Sequence, residues 1–208
     1  KIDQNELFTN YYRDHKKELY PRLLSHLNSV QPSENEAFNY NEPVTNVHID
    51  EYVRCDTSGT LFTQGVSTCT AVIVTFPGHF SYMAHISPYD AIYNESRTDL
   101  LSQLFKKISY FEITDSEKRD LEFYVVSKQT KSFNKLIDKM VSEGFFLSQI
   151  KILSQDNYQY ANFYHLPGKE KNIVNWKLNR SNDLFKSQHF SDVVSLGKMI
   201  NEIIENNE

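Results

Sequence analysis

The sequence has few of the residues that mark several specialised classes of protein. Only two of its 208 residues are cysteines, fewer than a small secreted domain held together by disulfides normally carries. Glycine and proline number six each, which is too few for long flexible linkers. No apolar run approaches the roughly 20 residues that a membrane-spanning helix needs. We therefore expect a folded chain without a membrane span.

Basic charge is also scarce. Lys and Arg number 22 against 27 Asp and Glu, for a net charge of -5. A protein that grips a phosphate backbone normally carries a basic excess, so we expect no nucleic-acid partner. No phosphate-binding glycine motif is present. His48 and Asp50 supply half of a metal site, but no second pair completes it, so we predict no metal and no cofactor.

The residues that are present predict one sizeable domain. Hydrophobic residues make up 39% and aromatic residues 13%, which excludes a disordered chain. Residues 6–30 predict a helix, which we expect to kink or divide at Pro21. Residues 31–46 are polar and predict a loop. We accordingly divide the chain into a helical arm with its loop, 1–46, and a main domain, 47–208. The apolar stripe of the first helix is expected at Leu7, Tyr11, Leu19, Leu23, Leu24 and Leu27.

From residue 47 the apolar pattern predicts strands in consecutive runs. Such runs favour an α+β fold with layered mixed or antiparallel sheets, about eight strands and four or five flanking helices. The predicted strands are 47–53, 60–65, 70–76, 80–86, 121–127, 146–153, 158–166 and 172–178. The later predicted helices are 99–108, 132–143 and 192–204.

The segment 62–88 is the most informative part of the chain. Cys69 stands where a turn meets a buried strand, a place from which a thiol can project into a cleft. Backbone N–H groups of the turn, at Gly65, Ser67 and Thr68, are the expected donors to an oxyanion.

The strands 70–76 and 80–86 predict a hairpin about Pro77-Gly78. A turn centred there sets Cys69 opposite position 86, and a shift by one residue places it beside His85. An imidazole in that position can lower the pKa of the thiol and transfer its proton. Thr63 can then accept the second ring N–H and orient the ring. We also expect His79 to line the cleft.

Each of these residues also has a plainer interpretation. A cysteine beside a β-branched run is often a small buried hydrophobic residue. A histidine in a strand is often structural, and threonine is common in strands.

The segments TQGVSTC at 63–69, AV at 71–72 and MAH at 83–85 resemble the chemoreceptor glutamine deamidase (CheD) family. The resemblance implies a cysteine-dependent deamidase active site formed by Cys69, His85 and Thr63. The same layout occurs in the cytotoxic necrotizing factor toxins. Ser67 and Thr68 depart from the Gly and Ser common in the family, and residues 1–46 have no counterpart in it.

The resemblance implies an enzyme that deamidates a glutamine side chain of a target protein. The unmatched residues 1–46 suit a target other than a chemoreceptor, as in a bacterial effector or toxin, and the choice between a chemotaxis role and an effector role stays open. We expect a monomer. A catalytically silent binding or sensor domain on the same fold is the alternative, and transglutamination or hydrolysis of a small amide remains open.

The state of the two cysteines indicates whether the protein works in a reducing or an oxidising cellular compartment. We expect Cys55 and Cys69 to be free thiols, since a bridge would occupy the proposed nucleophile. Free thiols favour a reducing cytosol, either bacterial or that of a host after secretion. The chain begins at Lys1 rather than Met, which we interpret as a slight indication of delivery.

Overall fold

A computed structural model of the chain describes residues 3–33, 43–88, 100–127, 133–179 and 185–207. Four α-helices lie in these ranges: α1 (Gln4–Ser29), α2 (Leu100–Lys107), α3 (Phe133–Ser142) and α4 (Leu196–Asn206). The same ranges contain ten strands: β1 (Thr45–Asn46), β2 (Glu51–Cys55), β3 (Leu61–Val66), β4 (Thr70–Phe76), β5 (Phe80–Ile86), β6 (Glu122–Ser127), β7 (Ile150–Leu153), β8 (Tyr158–Leu166), β9 (Lys171–Leu178) and β10 (Phe185–His189).

The strands form two sheets of five. The outer sheet has the order β1-β3-β8-β9-β10, and the central sheet has the order β2-β5-β4-β6-β7. Most neighbouring strands are antiparallel, and β1 with β3 and β6 with β7 are parallel. The predicted α+β class with layered mixed sheets is therefore confirmed, with ten strands rather than about eight.

The central sheet is buried on both of its faces. Val72 and Val74 of β4 pack with residues of all four helices, whereas Ala71 and Ile73 pack against the outer sheet. The molecule thus has three layers: helices, central sheet and outer sheet. Burial on both faces explains why 70–76 is a continuous apolar run rather than an alternating one.

Helix α1 is continuous through Pro21, so the expected division there is wrong. Pro21 lies on the exposed face of the helix together with Lys17, whose carbonyl loses its N–H donor and can be solvated instead. The predicted apolar stripe is confirmed at Leu19, Leu23 and Leu27, which are buried, and is wrong at Leu7, which is 41% exposed. The side chain of Leu24 lies outside the described residues. The buried face consists of Phe8, Tyr12, Leu19, Leu23 and Leu27.

These α1 side chains belong to the same hydrophobic core as the other helices and the central sheet. The helix is therefore packed into the main body of the protein rather than held apart from it. Most of the predicted loop, residues 34–42, lies outside the described residues, and the boundary at residue 46 stays a prediction.

The strand β10 escaped the sequence analysis because its buried positions are polar. Ser187 and Gln188 are each 1% exposed. The Ser187 hydroxyl donates to Asn175 Oδ1 at 2.8 Å, and Trp176 Nε1 donates to Gln188 Oε1 at 3.0 Å. Hydrogen bonds between β9 and β10 thus replace the apolar contacts that a sequence pattern would reveal.

No helix in the described ranges is both long enough and apolar enough to cross a membrane.

Candidate active site

The candidate site lies where the chain passes from the outer sheet to the central sheet. Strand β3 ends at Val66, residues 67–69 form bends, and β4 begins at Thr70 in the other sheet. This crossover brings a residue of β3 and the start of β4 to the same end of the two-sheet sandwich. It is the reason why Thr63 and Cys69 can serve one site although they belong to different layers.

The hairpin of β4 and β5 has a register different from the predicted one. Its turn contains three residues, since Phe76 pairs with Phe80, and Ala71 lies opposite His85. The next positions pair Thr70 with Ile86, so Cys69 falls across from Ser87. The expectation that Cys69 lies directly beside His85 is therefore wrong.

The observed register nevertheless brings both residues to the same end of the hairpin. Ala71 is the direct partner of His85, and Cys69 stands two residues before Ala71, one position outside β4. If the alternation of side chains along β4 continues to Cys69, this residue shares the face of Ala71 and is a diagonal neighbour of His85. Diagonal positions lie roughly 7–8 Å apart in the backbone, within reach of an imidazole ring.

Thr63 approaches the imidazole as predicted. Its Oγ1 lies 2.6 Å from His85 Nδ1, and both residues are 1% exposed. The same hydroxyl donates to the carbonyl oxygen of Val47 at 2.7 Å. Because a threonine hydroxyl has one proton, Thr63 must accept its bond to the ring from Nδ1–H. The hydrogen bonds therefore select the tautomer whose Nε2 carries the lone pair.

Nε2 of His85 is buried and has no hydrogen-bond partner within the described residues. Burial lowers the pKa of His85, and the carboxylate of Asp50 opposes this effect. The ring is consequently neutral at pH 7, and Nε2 is available to accept a proton.

Cys69 is buried, with 8% of the residue exposed. Burial and then the charge of Asp50 raise its pKa, while a hydrogen bond from the Thr68 side chain partly offsets them. The expectation that the imidazole leaves this thiol with a lowered pKa is therefore wrong for the resting site. Cys69 therefore rests as a thiol and His85 as a neutral imidazole.

A β-bulge sits beside the site in β3. Thr63 pairs with Phe163 and Val66 with Ala161, so Gln64 and Gly65 together face one residue of β8, Asn162. Gly65 adopts a φ of 71°, which side chains rarely tolerate. The bulge turns Val66 into the core between the sheets while keeping Thr63 directed at the imidazole.

The turn residues differ in their suitability as oxyanion donors. The N–H of Gly65 donates to Asn162 Oδ1 at 3.1 Å and is therefore already engaged. Ser67 is half-buried and Thr68 is exposed, directly before Cys69. Of the three expected donors, Ser67 and Thr68 are the better placed.

Asp50 is a residue of this site that the sequence analysis considered only as half of a metal site. Its N–H donates to the carbonyl oxygen of His85 at 2.7 Å, and its Oδ1 accepts the N–H of Ser87 at 3.0 Å. Its φ of 61° is in the left-handed region, which aspartate tolerates better than most residues. Within the described residues, no three metal-ligating side chains come together.

Two other residues that the sequence analysis considered lie far from Cys69. His79 is in the hairpin turn, where its ring stacks on Phe76 at the other end of β4, so its expected place in the cleft is wrong. Cys55 pairs with Ser81 at that same end of β5. Six positions of strand separate it from Cys69, about 20 Å. Such a distance is far too long for a disulfide, and both cysteines are free thiols.

No protein-family model matches this sequence, and no curated protein is significantly similar to it.

Proposed function

We propose that this protein is a thiol-dependent amidohydrolase that converts a glutamine side chain of a target protein into glutamate. Cys69 is the nucleophile, His85 is the general base and acid, and Thr63 orients the ring. The observation that carries the proposal is the chain of hydrogen bonds from the Val47 carbonyl through Thr63 to His85. It leaves His85 Nε2 buried, without a partner among the described residues, at the end of the hairpin where Cys69 leads into β4.

In the first half of the reaction His85 Nε2 takes the thiol proton, and the thiolate attacks the carboxamide carbon. The amides of the turn at 67–69 hold the developing oxyanion. The imidazolium then gives its proton to the nitrogen, the C–N bond breaks, and ammonia leaves. The product of this half is a thioester on Cys69.

In the second half a water molecule gives a proton to His85 Nε2, and its oxygen attacks the thioester carbon. The C–S bond breaks, and the imidazolium returns its proton to the sulfur. The new carboxyl group ionises, and the proton it releases is taken up by ammonia. The sum is glutamine plus water giving glutamate and ammonium, with no change of oxidation state.

One observation favours the alternative of a catalytically silent binding domain on the same fold. Cys69 is mostly buried and its pKa is raised, which is also the environment of an inert core cysteine. The two functions differ in what the removal of His85 does to the reactivity of Cys69.

The experiment combines a substrate assay with thiol labelling. The protein is incubated with β-casein, which is unfolded, and with a blocked Gln-Gly dipeptide, and ammonia and the mass change of each glutamine are measured. We expect Cys69→Ser and His85→Ala to abolish ammonia release, and the matched variant Cys55→Ser to retain it. An added alkylamine tests for transglutamination.

Labelling with iodoacetamide supplies a readout that needs no substrate. We expect Cys69 to react faster than Cys55, whose pKa burial raises to about 11, and His85→Ala to slow Cys69 specifically. No ammonia release together with an unchanged labelling rate in His85→Ala would establish the silent domain.

A further inference from the structure

We infer that Asp50 is the specificity-determining residue of the site, and that it selects a primary carboxamide and rejects a carboxylate at Cys69. The inference rests on the proposed function, because it assigns the group that distinguishes substrate glutamine from product glutamate. Nothing in the motif that carries the family resemblance includes this residue.

The backbone places the Asp50 carboxylate at the mouth of the site. Its Oδ1 is held by the N–H of Ser87, the residue that falls across from Cys69 in the hairpin register. Its own N–H is tied to the carbonyl of His85. One hydrogen bond therefore holds the exposed carboxylate at Ser87, directly after β5, and the other ties the Asp50 backbone to His85. In the described part of the chain Oδ2 has no hydrogen-bond partner.

A fixed carboxylate is a hydrogen-bond acceptor that carries no proton to donate. It can accept an N–H of a carboxamide, and it repels a carboxylate in the same place. A substrate amide would thus direct its NH2 group to Asp50 and its oxygen to the turn at 67–69. This orientation keeps the developing oxyanion away from the negative charge, which would otherwise oppose the reaction.

The same charge helps one reacting side chain and hinders the other. Burial lowers the pKa of His85, and the charge of Asp50 opposes this effect and so favours the imidazolium that forms during proton transfer. It also raises the pKa of Cys69, which disfavours a free thiolate in the empty site. Once glutamate is formed, its carboxylate faces Asp50, and this repulsion promotes release of the product.

Iodoacetamide and iodoacetate test the selection directly, since they differ as a carboxamide differs from a carboxylate. We would measure the ratio of their alkylation rates at Cys69 in the full chain, with N-acetylcysteine as a reference thiol. We expect wild-type Cys69 to prefer iodoacetamide more strongly than the reference does. Asp50→Asn should lower the ratio at Cys69 by about tenfold.

The variant Asp50→Asn keeps an oxygen for Ser87 N–H and tolerates the left-handed backbone, so it preserves the turn. Asp56 provides the reciprocal control, because its charge acts on Cys55 at the other end of the sheet. We expect Asp56→Asn to change the ratio at Cys55 only, and Asp50→Asn to change it at Cys69 only.

The labelling outcome is independent of the proposed reaction. An unchanged ratio at Cys69 in Asp50→Asn, or a wild-type ratio equal to that of N-acetylcysteine, overturns the inference even if ammonia is released. A changed ratio of alkylation rates without ammonia release from any substrate supports the role of Asp50 in selection. The same result contradicts the deamidase proposal. If both hold, Asp50→Asn should also be more strongly inhibited by a glutamate peptide than wild type.

Discussion

Thr63 shows how one hydroxyl determines the chemical state of a neighbouring histidine. Its single proton is committed to the Val47 carbonyl, which obliges His85 to donate from Nδ1. Either nitrogen of a free imidazole can hold the proton, so the tautomer with a basic Nε2 must be imposed by the surroundings. In this site the Val47 carbonyl fixes the tautomer of His85 through the hydroxyl of Thr63.

The first prediction concerns Thr63→Val, which keeps the shape of the side chain and removes its hydroxyl. His85 Nδ1–H and the Val47 carbonyl then lose their partner, and the ring loses its fixed tautomer. We expect the rate of Cys69 alkylation at pH 7 to fall about tenfold or more, and stability to fall by about 1–3 kcal/mol. Alkylation kinetics and urea unfolding measure the two effects.

Thr63→Ser is the matched variant, since it restores the hydroxyl on a smaller side chain. It should recover most of the alkylation rate. Equal rates in Thr63→Val and wild type would mean that Thr63 has no orienting role.

At the scale of elements, His165 of β8 joins the two sheets. Its Nε2 lies 2.7 Å from Ser81 Oγ of β5, and its Nδ1 is hydrogen-bonded to Asn172 Oδ1 of β9. Ser81 Oγ in turn lies 2.8 Å from Thr75 Oγ1. A polar link is thus buried between two largely apolar faces. Such a network is stable only while every member keeps its partner.

The second prediction follows from the charge state of this link. Burial lowers the pKa of His165 from 6.5 to about 4. Between these two pH values the unfolded chain binds the proton and the folded protein does not, so stability is lost as the pH falls. We expect His165 to account for about 3 kcal/mol of that loss. Urea unfolding at pH 7 and near pH 4 measures it.

His165→Gln separates this contribution from that of the other titrating groups. Glutamine places an uncharged amide between the sheets and does not titrate. The stability of the variant should therefore depend less steeply on pH over the same interval. A loss of stability equal to that of wild type would assign the pH dependence to other groups.

At the scale of the whole molecule, α1 is a structural part of the helical layer. Leu23 is 1% exposed within the core that the helices share with the central sheet, whereas Leu7 of the same helix is 41% exposed. A helix attached in this way unfolds with the rest of the protein rather than before it.

The third prediction compares these two leucines. Leu23→Ala should destabilise the protein by about 2–5 kcal/mol, because it leaves a cavity in the core. Leu7→Ala should change stability by less than about 0.5 kcal/mol. Both should retain one cooperative unfolding transition in urea, followed by circular dichroism and tryptophan fluorescence. A separate early transition for Leu23→Ala would indicate that α1 is an independent arm.

Local sequence patterns were sufficient to predict much of the fold. The strands at 70–76 and 80–86 were predicted with their observed bounds, because β-branched and aromatic runs interrupted by Pro-Gly leave little alternative. The motif also proposed Thr63, Cys69 and His85 as site residues. The placement of Cys69 relative to His85 could not be derived in the same way. A third residue in the turn changed the register, and no local rule specified that residue.

The sequence by itself determined the class of the fold and the central hairpin, because these depend on local periodicity and residue type, and it proposed the residues of the candidate site. Only the tertiary structure decided that Asp50 is hydrogen-bonded to His85 and Ser87, that Gly65 forms a bulge, and that His165 is held neutral between two sheets. Each of these features arises from pairing between segments distant along the chain. Register, burial and partner are properties of such pairings, and no single segment of the sequence contains them.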